Sequence, residues 1–403
     1  MTLVTTGVWV WRPWRWRRPR FPRVALGIVV SIAAIGAVAA TPQWRSTSFY
    51  EFHGEIPAAG TLLRVSSYPG TAPAGSTALR LLYATTRADG SPAVASAVAA
   101  IPDNAGSTAV AWQHDTTGVA QACVPSLRDN ALKPEAIPAI AEIVSRGWNV
   151  VATDYPGQGT EGRFPYLIGQ GEGRAALDSL RALRQLDQVP DEGKNMLWGH
   201  SQGGHATLFA DQIAANYAPE LEKRGVSALS AAADPQLLAE RILGTGANAL
   251  GTMVGSFVLV PYAAEYPDVR LKDYMIPVAT RLLRAAAQRC TDDKTILVSL
   301  LTTAALETRG ALVTADLNNS ALGQRLRENT ASGAGTAPLF LGQGVEDEVV
   351  PIAGQAEMAQ RARLSGRAVP EKDYPGRSHM GVIAADSPLI TDLLDWADAQ
   401  VTS

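Results

Sequence analysis

The stretch Asn195-Met196-Leu197-Trp198-Gly199-His200-Ser201-Gln202-Gly203-Gly204-His205-Ala206-Thr207-Leu208 decides how this chain folds. Asn195 to Gly199 is a short, mostly apolar run that reads as a buried strand, and from Ser201 to Ala215 the spacing turns helical. At the join, Gly199-x-Ser201-x-Gly203 matches G-x-S-x-G, which sets a serine on a tight strand-to-helix turn. Such a short pattern also fits an ordinary glycine-rich turn, but the strand before it and the helix after it favour the elbow. A serine hydroxyl is a weak nucleophile at neutral pH, so it needs a base beside it and donors facing a developing oxyanion. Ser201 is read as that nucleophile, and the rest of the chain must supply its partners.

Outward from the elbow the same rhythm repeats. Upstream, the apolar runs 108–113 and 148–154 read as strands, with helical spacing over 134–146 and 173–186. Downstream, 227–233 and 337–343 read as strands, 368–374 as a weaker one, and 355–363 and 388–401 as helices. Alternating βα units predict a mostly parallel sheet covered by helices on both faces. Segments 77–86 and 93–101 flank the turn-forming Asp89-Gly90-Ser91-Pro92 and predict an antiparallel hairpin ahead of the parallel part. Between Pro235 and Ala334 the rhythm breaks, and helical spacing over 278–288 and 296–308 runs on without a convincing strand. The expected organisation is a sheet domain over 46–234 and 335–403, with a helical cap, 235–334, inserted in it.

On such a sheet the partners follow the nucleophile in the order Ser, acid, His. Of the five histidines, His53, His114, His200, His205 and His379, only His379 lies beyond the helix that Ser201 opens. It sits in Gly376-Arg377-Ser378-His379-Met380-Gly381, a loop entering the last helix, where an imidazole reaches over the serine. His200 belongs to the elbow, and His205, one helical turn after Ser201, is expected to pack beside it. The acid should lie in the loop after a late strand, where it orients the imidazole and stabilises its charged form. Glu346, Asp347 and Glu348 all follow the strand-like run ending at Gln343, and spacing alone does not separate them. Asp347 is favoured because Gly344-Val345-Glu346-Asp347-Glu348-Val349-Val350-Pro351 presents it at the turn before an apolar strand-to-helix connection. Oxyanion donors are expected from the backbone N–H of Gln202, next after the nucleophile, and from the loop 113–118, where Asp115 is the candidate. Asp115 with Thr116-Thr117-Gly118 also reads as simple turn chemistry.

With 46% apolar and 18% charged residues, the composition is globular and supplies ample material for a core. The formal charge of -3 hides an asymmetry: the first 23 residues hold Arg12, Arg15, Arg17, Arg18, Arg20 and Arg23 and no acid. The body is therefore acidic and lacks the clustered Lys and Arg that nucleic acid requires, which excludes that partner. No cluster has zinc-ligand spacing, and neither a metal nor an organic cofactor is expected. Behind the arginines, the uncharged run 24–43 has the order of an export signal, with the small residues Ala37-Val38-Ala39-Ala40 suited to cleavage. Its length approaches the roughly 20 residues that span a bilayer. Trp9, Trp11, Trp14 and Trp16 suit an interfacial belt, so a retained membrane anchor is the other reading of 1–45. Both leave the body outside the cytoplasm, secreted or associated with the membrane through 24–43. The two cysteines, Cys123 and Cys290, fall in that exported part; by themselves they are either a bridge or two small buried apolar side chains.

Several motifs combine into a wider pattern: the loop Asp115-Thr116-Thr117-Gly118 running into Cys123-Val124-Pro125-Ser126, the turn Asp154-Tyr155-Pro156-Gly157-Gln158-Gly159, the elbow, Gly344 to Pro351, and Ser378-His379-Met380-Gly381. Together they resemble the secretory lipase family, which joins fungal lipase A-type enzymes with exported actinobacterial proteins, over roughly Tyr50 to the C-terminus. The resemblance implies the α/β-hydrolase fold, a mostly parallel sheet flanked by helices with an inserted helical cap. It implies Ser201, Asp347 and His379 as catalytic triad and Gln202 and Asp115 as oxyanion donors. It also implies a disulfide between Cys123 and a cap cysteine, for which Cys290 is the one choice, and a lid-like cap over an acyl-binding tunnel. Many relatives have glycine after the histidine of the oxyanion loop, where this chain has Asp115. The implied function is hydrolysis of small or lipid-like carboxylic esters by a triacylglycerol lipase or carboxylesterase. An exported acyltransferase or amidase would use the same triad, and a catalytically inactive envelope-anchored binding protein is the reading from another class.

Overall fold

The computed structural model describes residues 47–244, 249–275, 277–292 and 316–402. The run 24–43 and the helical stretch 296–308 lie outside the described residues. Among the described residues, no helix is long and apolar enough to cross a membrane.

Nine strands among the described residues form one sheet: β1 (Leu62–Ser67), β2 (Ser76–Thr86), β3 (Pro92–Pro102), β4 (Ala109–Gln113), β5 (Asn149–Thr153), β6 (Asn195–His200), β7 (Lys223–Leu229), β8 (Leu339–Gly344) and β9 (Glu371–Tyr374). Their order across the sheet is β1-β2-β3-β5-β4-β6-β7-β8-β9. The first three strands are antiparallel to their neighbours, and from β5 onward every pairing is parallel. Side chains alternate between faces with period two. Ala109 and Ala111 of β4 therefore join Val151 and Leu197 on one face, and Val110 and Trp112 join Val150 and Trp198 on the other. The first face is covered by α2 (Gly169–Leu183) and α3 (Gln202–Tyr217), through Leu177, Leu180, Leu208 and Phe209. The opposite face is covered by α1 (Ile140–Ser145) and the C-terminal helix Pro388–Thr402, through Ile140, Ile143, Leu389 and Leu393. Each such side chain, fully buried, contributes about 1.5–3 kcal/mol relative to exposure. The architecture is the α/β-hydrolase fold.

Several element boundaries differ from the sequence reading, each for a physical reason. The expected helix over 134–146 shrinks to α1, because Pro138 and a left-handed Ala139 (φ 58) interrupt it just before Ile140. The strand expected over 227–233 runs instead over Lys223–Leu229. Its charged start is hidden because Lys223 is mostly buried, bonded to Asp211 at 2.7 Å, and the chain turns away at Ser230 (φ 40). Helix α2 starts at Gly169, four residues before the expected 173; its glycine-rich first turn is capped by Asn329, whose Oδ1 accepts from Gly169 N–H at 2.9 Å. The half-exposed edge strand β1 escapes the sequence reading altogether.

Between β7 and β8 lie α4 (Pro235–Gly244), α5 (Ala249–Glu265), α6 (Pro277–Ala286) and α7 (Ala321–Glu328). Among the described residues of this stretch no strand joins the sheet. Buried side chains help attach it: Phe257, Tyr262, Leu283 and Leu322 share a cluster with Tyr155, Phe164 and Leu167 from the loops beyond β5 and with Ala206 of α3.

Candidate active site

Strand β6 delivers the chain to Ser201 and α3 carries it away. Ser201 has φ 55 and ψ -117, a left-handed backbone that costs a side-chain-bearing residue about 1–3 kcal/mol. Backbone bonds over-determine it. Ser201 N–H donates to Leu229 O on β7 at 2.9 Å, and Ser201 O accepts from Ala232 N–H at 3.0 Å and from His205 N–H at 3.2 Å. Two residues on, a Cβ at Gly203 would lie 1.9 Å from Gln113 O and 2.7 Å from His114 O. The glycine thus lets the start of α3 press against the end of β4, and this brings the loop 113–118 beside the elbow.

His379 Nε2 lies 2.9 Å from Ser201 Oγ, and its Nδ1 lies 2.8 Å from Asp347 Oδ2. Ser201, Asp347 and His379 are 7%, 9% and 6% exposed. Asp347 also accepts from Gln343 Nε2 and from the amides of Val349 and Val350, all within 2.9 Å. Burial alone pushes this carboxyl up, but the His379 hydrogen bond and charge, with the two amides, outweigh it and hold the group below the ordinary carboxylate value. A carboxylate only accepts, so it takes the Nδ1 proton and leaves Nε2 to accept from the serine hydroxyl. The three acids that spacing left together separate here: Glu348 Oε2 accepts from the backbone N–H of His379 at 3.1 Å, and Glu346 is exposed.

Gln202 is the first residue of α3, at the positive end of its dipole. Asp115 is half-buried in the loop after β4, and its carbonyl accepts from His114 Nδ1 at 2.5 Å. Remote residues hold that loop. Gln158 Nε2 donates to Thr117 Oγ1 (3.0 Å) and Gly118 O (2.8 Å), and Thr291 donates from its N–H to Thr117 O at 3.0 Å and from Oγ1 to Thr116 O at 3.3 Å. Cys123 and Cys290 are joined by a disulfide, with Cα atoms 5.2 Å apart. Gly118, at φ 124, fits under it; a Cβ there would meet Cys123 Sγ at 2.6 Å.

Other residues of the site had no assigned role in the sequence. His200 donates from Nε2 to His379 O at 2.9 Å, and the two rings lie 4.6 Å apart. Burial first, and the neighbouring His379 second, push the His200 imidazole down from 6.5 to about 4, so it is neutral at pH 7. Asp154, fully buried, accepts from Ser96 Oγ (2.6 Å) and Ser126 N–H (2.8 Å), which ties the Asp154 turn to the segment after Cys123. Glu172 lies buried behind Gln202, between glycines that gave no sign of it. The signal that could have found Gln158 was its place in the Asp154–Gly159 turn; nothing comparable marks Glu172.

A family model described as secretory lipase matches residues 133–387, more than half of the chain. Among curated proteins, Lipase 2 of Candida albicans is 29% identical over 227 residues, which is 51% of this chain and 45% of that one. Lipase A of Moesziomyces aphidis is 38% identical over 84 residues, 21% of this chain and 17% of its own length. The chain thus spans less than half the length of these relatives. Among solved structures, Candida antarctica lipase A aligns with a TM-score of 0.66 at 22% identity, over 80% of this chain and 78% of that one. The rice cell wall degrading esterase LipA from Xanthomonas oryzae aligns with a TM-score of 0.66 at 23% identity, over 86% and 97%. At these identities the structural likeness speaks for the fold alone. The family model, covering most of the body, speaks for descent: this chain belongs to the secretory lipase family.

Proposed function

We propose that this protein hydrolyses carboxylic esters through an acyl-enzyme on Ser201. The observation that carries the reading is a serine held in left-handed backbone with its Oγ 2.9 Å from His379 Nε2, the same imidazole meeting buried Asp347 at 2.8 Å. Ser201 Oγ attacks the acyl carbonyl carbon and its proton passes to His379 Nε2, while Asp347 steadies the imidazolium. Charge gathers on the carbonyl oxygen and is met by the backbone N–H groups of Gln202 and Asp115. Collapse of the intermediate breaks the bond to the alcohol oxygen, which takes the proton from His379. Water, deprotonated by the same imidazole, then attacks the acyl-enzyme, releasing the acid and restoring the serine.

Residues 235–334 are assigned as the cap on the sheet domain 46–234 and 335–403. Its support is the run of helices α4 to α7 without a sheet strand among the described residues, and the apolar cluster these helices share with Tyr155, Phe164 and Leu167. The lipase names of the relatives favour a lipid-like ester. Export is supported by the arginine-led apolar leader, by the secretory family and by the Cys123–Cys290 disulfide, which persists in an oxidising compartment. Ser201→Ala should lower turnover of p-nitrophenyl butyrate by about 10⁴-fold or more while the protein melts as before. Full activity in that variant removes the reading.

A further inference from the structure

We propose that the buried pair Glu172 and His205 is the positioning device of the oxyanion donor at Gln202, and that it keeps the floor of that site free of net charge. The proposal rests on the ester-hydrolase reading above.

Both side chains are fully buried. Glu172 stands in the first turn of α2, while Gln202 and His205 stand three residues apart in the first turn of α3 and so share a helix face. Glu172 Oε1 accepts from Gln202 Nε2 at 2.8 Å and from Leu167 N–H at 3.0 Å; Oε2 lies 2.9 Å from His205 Nδ1. His205 Nε2 lies 2.8 Å from Asn329 O. Each polar atom of the pair is therefore engaged, and one carboxylate grips the start of α3 at two points. Gln202 carries the proposed donor N–H on the backbone whose side chain is held in this way. The far end of the relay reaches the cap helices: Asn329 follows α7, and its Nδ2 donates to the hydroxyl of Tyr266, just after α5, at 2.8 Å.

The hydrogen bonds also count the protons. A backbone carbonyl only accepts, so Asn329 O requires a proton on His205 Nε2. The line from Nδ1 to Glu172 Oε2 holds one more proton, and wherever it sits the pair carries no net charge. This matters because a lone buried carboxylate behind Gln202 would oppose an oxyanion forming on the other side of the same backbone, in an interior that screens charge poorly. His205 cancels that field while leaving the carboxylate free to hold Gln202.

His205→Gln leaves Glu172 uncompensated and should lower kcat for p-nitrophenyl butyrate by about 30- to 100-fold while KM moves less than about threefold. Adding Glu172→Gln in that background removes the opposing charge and should restore kcat by about tenfold, although more of the network has been cut. A purely structural role predicts the reverse, and a double variant as slow as or slower than the single overturns the proposal. Should His205→Gln fail to fold, Gln202→Leu cuts the grip at its other end; there kcat should fall about tenfold with KM held, and an unchanged kcat overturns the proposal as well. Wild-type protein inert toward this ester would overturn the ester-hydrolase reading and this proposal together. An active wild type with an inert Ser201→Ala, but without the charge-dependent recovery, overturns this proposal alone.

Discussion

The two sides of the candidate active site are held by different means. The elbow takes its shape from consecutive chain: β6, one strained residue and α3, steadied by backbone bonds to Leu229 and Ala232. The loop 113–118 leaves β4 with no long helix behind it and is shaped by Gln158, Thr291 and Cys290, from 40 to 175 residues away along the chain. The proposed nucleophile is thus fixed by local geometry, whereas the loop proposed to supply the donor facing it borrows stiffness from distant parts of the fold. The two sides meet at Gly203, whose missing Cβ lets α3 touch the carbonyls of Gln113 and His114.

That meeting point is where the contrast breaks most severely. Gly203→Ala puts a methyl 1.9 Å from Gln113 O, so one side must move. We expect a loss of about 1–3 kcal/mol in stability and of about 100-fold in kcat/KM. Urea unfolding and p-nitrophenyl butyrate kinetics measure the two, and wild-type values in both would mean that the sides do not depend on this contact. Next in size, replacing Cys123 and Cys290 together by serine should cost about 2–5 kcal/mol of stability, with a smaller fall in kcat as the loop loosens. Melting with and without reductant tests it: wild-type protein should fall to the double variant's melting temperature when reduced, and no shift would show that the loop stands without its bridge.

The smallest effect appears only in acid and belongs to the elbow. Buried His200 has its imidazole pushed down from 6.5 to about 4, so below pH 6.5 the unfolded chain takes up a proton that the fold refuses. Stability from this group is complete above its unfolded value and is lost as the pH falls from about 6.5 to 4, by about 3 kcal/mol at most. His200→Asn keeps a donor for His379 O but not the titration. The stability gap between wild type and variant should therefore narrow, or turn against the wild type, across that window. A gap independent of pH would contradict a neutral buried His200.

This same division governs what could be read from the sequence. The sheet rhythm, the elbow and His379 were legible because each depends on neighbours in sequence or on the fixed order of partners along the chain. Asp347 was legible from its turn, although only the structure separates it from Glu348, which serves the backbone of the same histidine. The roles of Gln158 and Glu172, and the partners of His205, whose place beside the elbow was legible, were opaque because those partners lie on other elements and no spacing rule connects them. The early start of α2 was hidden for the same reason, its cap being supplied by Asn329.

The bridge between Cys123 and Cys290, 167 positions apart in sequence, closes a covalent ring that contains Ser201 but neither Asp347 nor His379. A protease that nicks the chain once inside the ring leaves both fragments linked, with Ser201 still tethered to the loop 113–118. A nick beyond Cys290 and before Asp347 instead frees the fragment bearing Asp347 and His379 from any covalent hold. The protein's tolerance of proteolytic damage is therefore lopsided, and it is set by where the two cysteines fall along the chain relative to Ser201, Asp347 and His379.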